Sequence, residues 1–269
     1  MQSLHLTALQ PDLVWENPEA NRHKIEDMLR QAKPATDLIL LPEMFTTGFT
    51  MRSAACAESM DGPTTLWMRQ LAAQYEALVV GSVIIEEAGH YYNRLIAMSA
   101  EGVLATYDKR HLFRMGGETD HYTAGTDRVV FSWKGWKICP QICYDLRFPV
   151  FIRNGANDAG EMDYDLLLFV ANWPQRRAAH WEILAQARAI ENQAFVAALN
   201  RVGTDGNGLP HSGNSMIVDY MGAQLAYDAG NEMVLTANLD PQGLIEWRKQ
   251  FPLWKDADAF SIQERTHSH

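Results

Sequence analysis

The sequence predicts an α/β protein folded as one domain over residues 1–269, on three observations. Strand-like and helix-like patterns alternate along the chain with no linker or low-complexity segment between them, as in α/β architectures. Two runs, Asp37-Leu38-Ile39-Leu40-Leu41 and Asp165-Leu166-Leu167-Leu168-Phe169-Val170, are apolar throughout after an aspartate, the pattern of strands buried on both faces. Hydrophobic residues make up 47 % of the chain, enough for a sizeable core.

Taken in order, Leu4 to Gln10 alternates apolar and polar residues and reads as a strand. Asn17-Pro18 opens a helix with a cap and a first-turn proline. Ile25, Met28, Leu29 and Ala32 give that helix one apolar face, and Pro34 ends it. Asp37 to Leu41 is a buried strand, followed at once by Pro42-Glu43-Met44-Phe45. Asp61-Gly62-Pro63 starts a second helix with Leu66, Trp67, Leu71 and Tyr75 on one side. Leu78 to Ile85, Tyr91 to Ser99 and Val103 to Tyr107 read as strands, and Lys109 follows the last. A polar loop from Arg114 to Asp127 carries Glu118. Val129 to Trp133 and Trp136 to Ile142 form a hairpin about Lys134-Gly135. After Cys143 a short helix is expected toward Asn154-Gly155. Asp165 to Val170 is a strand ending in Ala171-Asn172-Trp173-Pro174, and the longest helix runs from Arg177 to Asn192. Phe195 to Leu199, Ser215 to Asp219 and Met233 to Leu239 are further strands. Asp240-Pro241 caps a last helix, and the tail beyond Phe251 reads as extended. The Asp37–Phe45 and Asp165–Pro174 stretches resemble each other, which suggests two similar halves.

Composition narrows the partners. The net charge is −10, which argues against nucleic acid or an anionic membrane as a partner. No apolar run is long enough to span a bilayer. Met1-Gln2-Ser3-Leu4-His5 has no basic region before an apolar one, so no secretory signal is expected. Three cysteines, an odd number, fit a reducing cytoplasm with free thiols. Cys139 and Cys143 are too far apart on a strand for an unstrained disulfide, and Cys56 lies in a small-residue loop. No Cys/His spacing suits a structural zinc, and no metal or cofactor is expected.

The stretch Trp136-Lys137-Ile138-Cys139-Pro140-Gln141-Ile142-Cys143-Tyr144-Asp145 turns from strand to helix at Cys143. A cysteine there meets the free N–H groups of the following helix, which favour thiolate. It reads equally as a small buried apolar residue. A cysteine nucleophile needs a base and an oxyanion partner. Of nine histidines, His111, His121, His180 and His211 lie in plausible places, and no spacing singles one out. Glu43, directly after Leu38 to Pro42, is a carboxylate at the end of a buried strand. A carboxylate drawn out of water is the stronger base. Glu43, Cys143 and Asn172 all fall at strand C-termini, where sites form in open α/β sheets.

Three ordered stretches resemble the carbon–nitrogen hydrolase (nitrilase) superfamily. They are Leu41-Pro42-Glu43-Met44-Phe45, Tyr107-Asp108-Lys109-Arg110-His111-Leu112-Phe113 and Ile142-Cys143-Tyr144-Asp145-Leu146-Arg147-Phe148-Pro149. Ala171-Asn172-Trp173-Pro174, Ala187-Arg188-Ala189-Ile190-Glu191-Asn192-Gln193 and Gly213-Asn214-Ser215-Met216-Ile217-Val218-Asp219 continue the likeness. It covers Leu4 to about Leu239, with 240–269 left as a C-terminal helix and tail. The resemblance implies a four-layer α-β-β-α sandwich and a Glu-Lys-Cys triad. Glu43 is then the general base, Lys109 the oxyanion partner with the Tyr144 backbone N–H, Cys143 the nucleophile, and Glu118 the family's second glutamate. It also implies a homodimer or higher homo-oligomer, paired through the helix after Cys143 and the Arg177–Asn192 helix, with the tail reaching across.

Ala171 to Arg177 with His180-Trp181 resembles the omega-amidase branch, which hydrolyses the terminal amide of 2-oxo acids such as 2-oxoglutaramate and 2-oxosuccinamate. The implied partner is a small-molecule amide carrying a carboxylate. Arg147, Arg176 and Arg177 are candidates to bind that carboxylate, each reading equally as a structural ion pair. Phe45, Phe113, Tyr144, Asn172 and Trp173 are candidates to line the pocket. The alternatives are another amidase of the family, acting on deaminated glutathione or an N-carbamoyl compound, then a nitrilase. A binding homologue without catalysis is opposed by the intact Glu43, Lys109 and Cys143.

Overall fold

The structure, a computed structural model, describes residues 1–262. The first half comprises β1 (Leu4–Gln10), α1 (Pro18–Ala32), β2 (Leu38–Leu40), the single-turn α2 (Ser53–Cys56), α3 (Pro63–Tyr75), β3 (Leu78–Glu87), β4 (His90–Met98) and β5 (Val103–Asp108). After α4 (Glu118–His121), the second half comprises β6 (Phe131–Trp133), β7 (Trp136–Ile142), α5 (Pro149–Ile152), β8 (Leu166–Ala171), α6 (Ala178–Asn192) and β9 (Phe195–Asn200). It continues through β10 (Val202–Thr204), β11 (Pro210–Val218) and β12 (Gln224–Ala229). Strand β13 (Met233–Leu239) and helix α7 (Pro241–Gln250) close the order.

Two sheets form. One runs β13-β1-β2-β3-β4-β5, and the other runs β10-β11-β9-β8-β7-β6 with β12 paired to β11. Strands β1, β2 and β3 are mutually parallel, as are β7, β8 and β9. Helices α1 and α3 bury Ile25, Leu29, Trp67, Met68 and Leu71 against Leu9, Ile39, Leu41 and Val79 of the first sheet. A larger buried cluster joins Leu6, Leu38, Leu40 and Val80 of the first sheet to Ile138, Leu168 and Ala198 of the second, and includes Trp181, Ala185 and Ala189 of α6. The layers are therefore helix, sheet, sheet, helix, as the resemblance implied. No helix of the described residues is long and apolar enough to cross a membrane.

The likeness between the halves has a backbone cause. The Asp37 carboxylate accepts the His5 N–H (2.9 Å), its own N–H donates to the His5 carbonyl (2.8 Å), and its carbonyl accepts the Leu78 N–H (3.0 Å). Asp165 repeats all three bonds with Lys137 (3.1 and 2.8 Å) and Phe195 (2.9 Å). Each aspartate thus fastens the entry of a central strand to the strand on either side.

Several expectations are corrected. Leu66 faces solvent, and Ala32 is also exposed. The loop from Arg114 to Asp127 contains α4, which begins at Glu118 itself. Strands β10 and β12 are new: three and six residues long, they carry too few alternating apolar positions to stand out. Beyond Phe251 the chain makes a 3-10 turn, Leu253–Asp256. The last seven residues of the tail expected to cross to a partner lie outside the described residues.

Candidate active site

Strand ends bring the chemistry together. Glu43 follows β2, Lys109 follows β5, Cys143 follows β7 and Asn172 follows β8. Glu43, Lys109 and Glu118 are each fully buried. The Lys109 Nζ donates to Glu43 Oε1 at 2.8 Å and to Glu118 Oε1 and Oε2 at 3.0 and 2.9 Å. The Phe113 N–H adds a 2.5 Å bond to Glu118 Oε2. Burial works against the Lys109 charge, yet Glu118, Glu43 and Cys143 together hold its pKa well above the usual lysine value. Burial raises the Glu118 carboxyl above its ordinary range, with Lys109 pulling the other way.

Cys143 sits in the left-handed region at φ +44°, a conformation that costs about 1–2 kcal/mol for a residue with a Cβ. Asp145 holds the turn. Its Oδ2 accepts the Ile142 N–H at 3.0 Å and the Tyr107 hydroxyl at 2.8 Å. Its Oδ1 accepts the His111 N–H at 3.0 Å, with the His111 Nδ1 at 2.7 Å. The Cys143 turn is thereby fastened to the segment that carries Lys109. From the other side, the buried Arg188 of α6 donates to the Leu146 carbonyl at 3.1 and 2.7 Å.

The turn at Cys143 differs from the expected helix start. The segment after β7 is a five-residue 3-10 turn, Cys143–Arg147, with Pro149 two residues on, so no helix axis is aimed at the sulfur. Burial, then the Glu43 charge, push the Cys143 pKa well above the usual thiol value against the pull of Lys109. With its pKa raised in this way, the Cys143 proton has to leave as sulfur attacks.

Asn172 joins the two halves. Its N–H donates to Glu43 Oε2 at 2.8 Å and its side-chain Nδ2 to the Glu43 carbonyl at 2.5 Å. Behind it, Asn200 accepts the Trp173 N–H and donates to the Trp173 and Gly213 carbonyls, and Ser215 accepts the Asn200 N–H. These bonds explain the Asn-Trp and Gly-Asn-Ser stretches as supports of the strand end that meets Glu43.

A cavity of about 590 Å³ opens on Glu43, Lys109 and Cys143. The candidates Phe113, Tyr144, Asn172, Trp173, Arg147, Arg176 and Arg177 line it. Among the described residues none of these arginines is within ion-pair distance of a carboxylate. Arg147 lies over Trp173 at 4.7 Å and Arg177 over Phe113 at 5.2 Å. Burial, then the like charges of Arg176 and Arg147, lower the Arg177 pKa. Glu118 lies behind Lys109, off the cavity wall.

Phe45 is a correction. Its ring is fully buried against Trp67 at 5.8 Å, in the helix-covered core. Met44 is left-handed at φ +44° and turns the chain, and Gly81 leaves the space the ring fills: a Cβ there would lie 2.9 Å from Phe45. The aromatic that this segment places on the cavity wall is Phe49, 5.0 Å from the Lys109 Nζ. Sequence reasoning also missed Asn93, buried on β4, and the loop residues Asp205 and Asn207, which line the cavity with His211 of β11, one of the histidines that no spacing singled out. Only a polar residue inside an apolar strand could have flagged Asn93. The His211 Nδ1 lies 3.0 Å from the Leu209 carbonyl, and burial, then Arg201, push its pKa down to about 4. Among the described residues no cluster of three or more His, Cys, Asp or Glu could hold a metal ion.

Known proteins resemble this chain over nearly its whole length. The carbon-nitrogen hydrolase family model matches residues 5–249. The omega-amidase YafV of Yersinia enterocolitica is 46 % identical over 267 residues, covering 97 % of this chain and 100 % of that protein. The 2-oxoglutaramate amidase of Bacillus subtilis is 32 % identical over 254 residues, 93 % and 96 % of the two chains. A solved structure from Xanthomonas campestris, a CN-hydrolase superfamily protein with an arsenic adduct in its active site, superposes with a TM-score of 0.95 at 44 % identity, covering 98 % of this chain and 100 % of that one. With a matching profile across both sheets and a backbone of the same course, this chain belongs to the carbon-nitrogen hydrolase family.

Proposed function

We propose that this protein is an omega-amidase, hydrolysing the terminal amide of small 2-oxo acids such as 2-oxoglutaramate and 2-oxosuccinamate to the dicarboxylate and ammonia. The carrying observation is a thiol beside a buried Glu–Lys–Glu cluster, in a cavity whose wall presents three arginines without carboxylate partners among the described residues. The cluster suits amide chemistry, and the arginines suit a substrate with a free carboxylate. The 2-oxo acid amide is favoured over other amides of the family by the likeness to YafV and to the 2-oxoglutaramate amidase.

In the reaction, the Cys143 sulfur attacks the amide carbonyl as its proton passes to Glu43. The carbonyl π electrons move to oxygen, and the Lys109 ammonium and the Tyr144 backbone N–H hold the resulting oxyanion. The protonated Glu43 delivers its proton to nitrogen, the C–N bond breaks, and ammonia leaves a thioester on Cys143. Glu43 then takes a proton from water as the water attacks the thioester; as the intermediate collapses the C–S bond breaks, the acid product leaves, and Glu43 returns its proton to the Cys143 sulfur. Glu118 acts on Lys109, keeping it charged and in place. Steady-state rates on 2-oxoglutaramate against glutamine, asparagine and simple nitriles test the reading. A kcat/KM for 2-oxoglutaramate at least 100-fold above glutamine is expected, on the order of one hydrogen-bonded group recognised in a closed site. Comparable rates on glutamine would overturn it.

We further propose a cytoplasmic homodimer. Its three free thiols fit a reducing compartment. Val150 on α5, Ile183 and Ile190 on α6, and Met221 are exposed apolar side chains, and Ile190 lies against Gly222 beside Met221, so α6 and its neighbour form one apolar face. Sedimentation should give a dimer that Ile183→Asp splits. A concentration-independent monomer would refute it.

A further inference from the structure

Both oxygens of Glu43 are engaged, unequally. A carboxylate offers about four acceptor positions, two on each oxygen. Oε1 takes the Lys109 Nζ at 2.8 Å and the Asn93 Nδ2 at 2.8 Å. Oε2 takes the Asn172 N–H at 2.8 Å. Three of the four positions are filled, and the remaining one is on Oε2. The second Asn93 N–H reaches Glu118 Oε1 at 3.2 Å, so Asn93 and Lys109 each bridge the two carboxylates.

The orientation of the Asn93 amide is set from behind. The Met44 N–H donates to Ser82 Oγ at 2.8 Å, which leaves the Ser82 hydroxyl hydrogen free to donate to Asn93 Oδ1, also at 2.8 Å. With its oxygen committed to Ser82, Asn93 can present only its NH₂ to the glutamates. Ser82, Asn93, Glu43, Lys109 and Glu118 are all buried, so water does not substitute for a missing partner without disturbing the cluster.

We infer that Asn93 is a positioning residue for the general base: with Lys109 it fills Oε1 of Glu43 and confines proton transfer to Oε2, the oxygen held by Asn172. This rests on the reading of Glu43 as the base. In the acylation step the S–H bond breaks, the S–C bond forms, and the proton arrives on Oε2. In deacylation the same oxygen takes the proton of water. Asn93 stays on Oε1 throughout with one Lys109 N–H, while Lys109 turns one of its two N–H bonds to Glu118 toward the oxyanion. Without Asn93 the carboxylate gains a second open position on Oε1, facing away from Asn172. A proton received there is misplaced for return to the leaving nitrogen.

Two readouts test this. The first is kcat and KM on 2-oxoglutaramate. The second is the rate at which iodoacetamide alkylates Cys143, followed by peptide mass spectrometry, which needs no substrate. Asn93→Ala should lower kcat and the alkylation rate by about 10- to 100-fold, the lower range of general-base effects, with KM within about threefold. In a Glu43→Gln background, Asn93→Ala should slow alkylation by less than about twofold, since no base remains to orient. A merely structural role would instead add its full loss in that background. Ser82→Ala, which removes the donor that orients the amide, should act in the same direction by roughly three- to tenfold. It decides the matter if Asn93→Ala does not fold. The inference is overturned if kcat changes by less than twofold in a folded variant, or if the losses from Glu43→Gln and Asn93→Ala multiply. If the wild-type enzyme does not turn over 2-oxoglutaramate, the substrate assignment fails while the alkylation series still decides the role of Asn93.

Discussion

Replacing Lys109 with Met removes the cation from a cluster that otherwise contains Glu43 and Glu118, both fully buried. Methionine keeps the length of the stem and loses the three donors that make 2.8, 3.0 and 2.9 Å bonds. Breaking a buried ion pair costs about 3–5 kcal/mol because the partner charge stays behind. For a chain of this size that lowers Tm by roughly 6–20 °C at neutral pH. The pH dependence is more diagnostic. In the wild type the Lys109 pKa is raised, so its stabilisation is complete below the unfolded lysine value and is lost only as pH rises through the higher folded value. In Lys109→Met the Glu118 carboxyl, already raised by burial, loses the cation that pulls it down and should rise further above its unfolded value. The native state then binds more protons than the unfolded state above about pH 4.3. Stability therefore falls as pH rises, by about 1.4 kcal/mol per unit for each extra proton. Thermal melts from pH 5 to 8 measure it: the deficit relative to wild type should be smallest at pH 5 and grow toward pH 8. A constant deficit, or a Tm within 2 °C of wild type at pH 7, would refute the claim that this lysine neutralises two buried carboxylates.

Cys143→Ala should reduce kcat by about 10⁴-fold or more while leaving the far-ultraviolet spectrum unchanged, and activity within tenfold of wild type would exclude the thioester. Arg177→Ala should raise KM for 2-oxoglutaramate by about 10- to 100-fold, the size of a charge-assisted hydrogen bond. It should change KM for a neutral short-chain amide by less than threefold, so an equal effect on both would remove the arginine from carboxylate recognition. The His211 pKa is pushed down to about 4 from 6.5, so the unfolded state binds the extra proton between those values and stability falls as pH drops through that window. The total is on the order of 3 kcal/mol. His211→Gln should flatten the Tm loss between pH 6.5 and 4, and an unchanged slope would show that another group titrates there.

Much of this architecture is legible in the chain itself. Buried parallel strands must be continuously apolar, so Leu38–Leu40 and Leu166–Ala171 stand out. Each run ends at a turn that starts with a polar residue, and that order of residues alone puts Glu43 and Asn172 at strand C-termini. The aspartate before each run is a local backbone device, which is why the two halves resemble each other in sequence.

What the tertiary structure decided concerns partners far apart in sequence and the facing of single side chains. Asn93 and Glu43 are fifty residues apart, and a hydrogen bond at that separation leaves no periodicity to read. Phe45 and Phe49 are equally aromatic, yet the left-handed turn at Met44 sends one into the core and leaves the other on the cavity. The protonation of Cys143 was also out of reach of the sequence. A strand-to-helix turn argues for thiolate, but the turn is a short 3-10 one, and burial, then the nearby Glu43 charge, raise the thiol pKa. Residue types and local patterns determined which groups are available and at which strand ends they lie. Burial and the distances between charges, which exist only once both sheets have closed on each other, determined what those groups do.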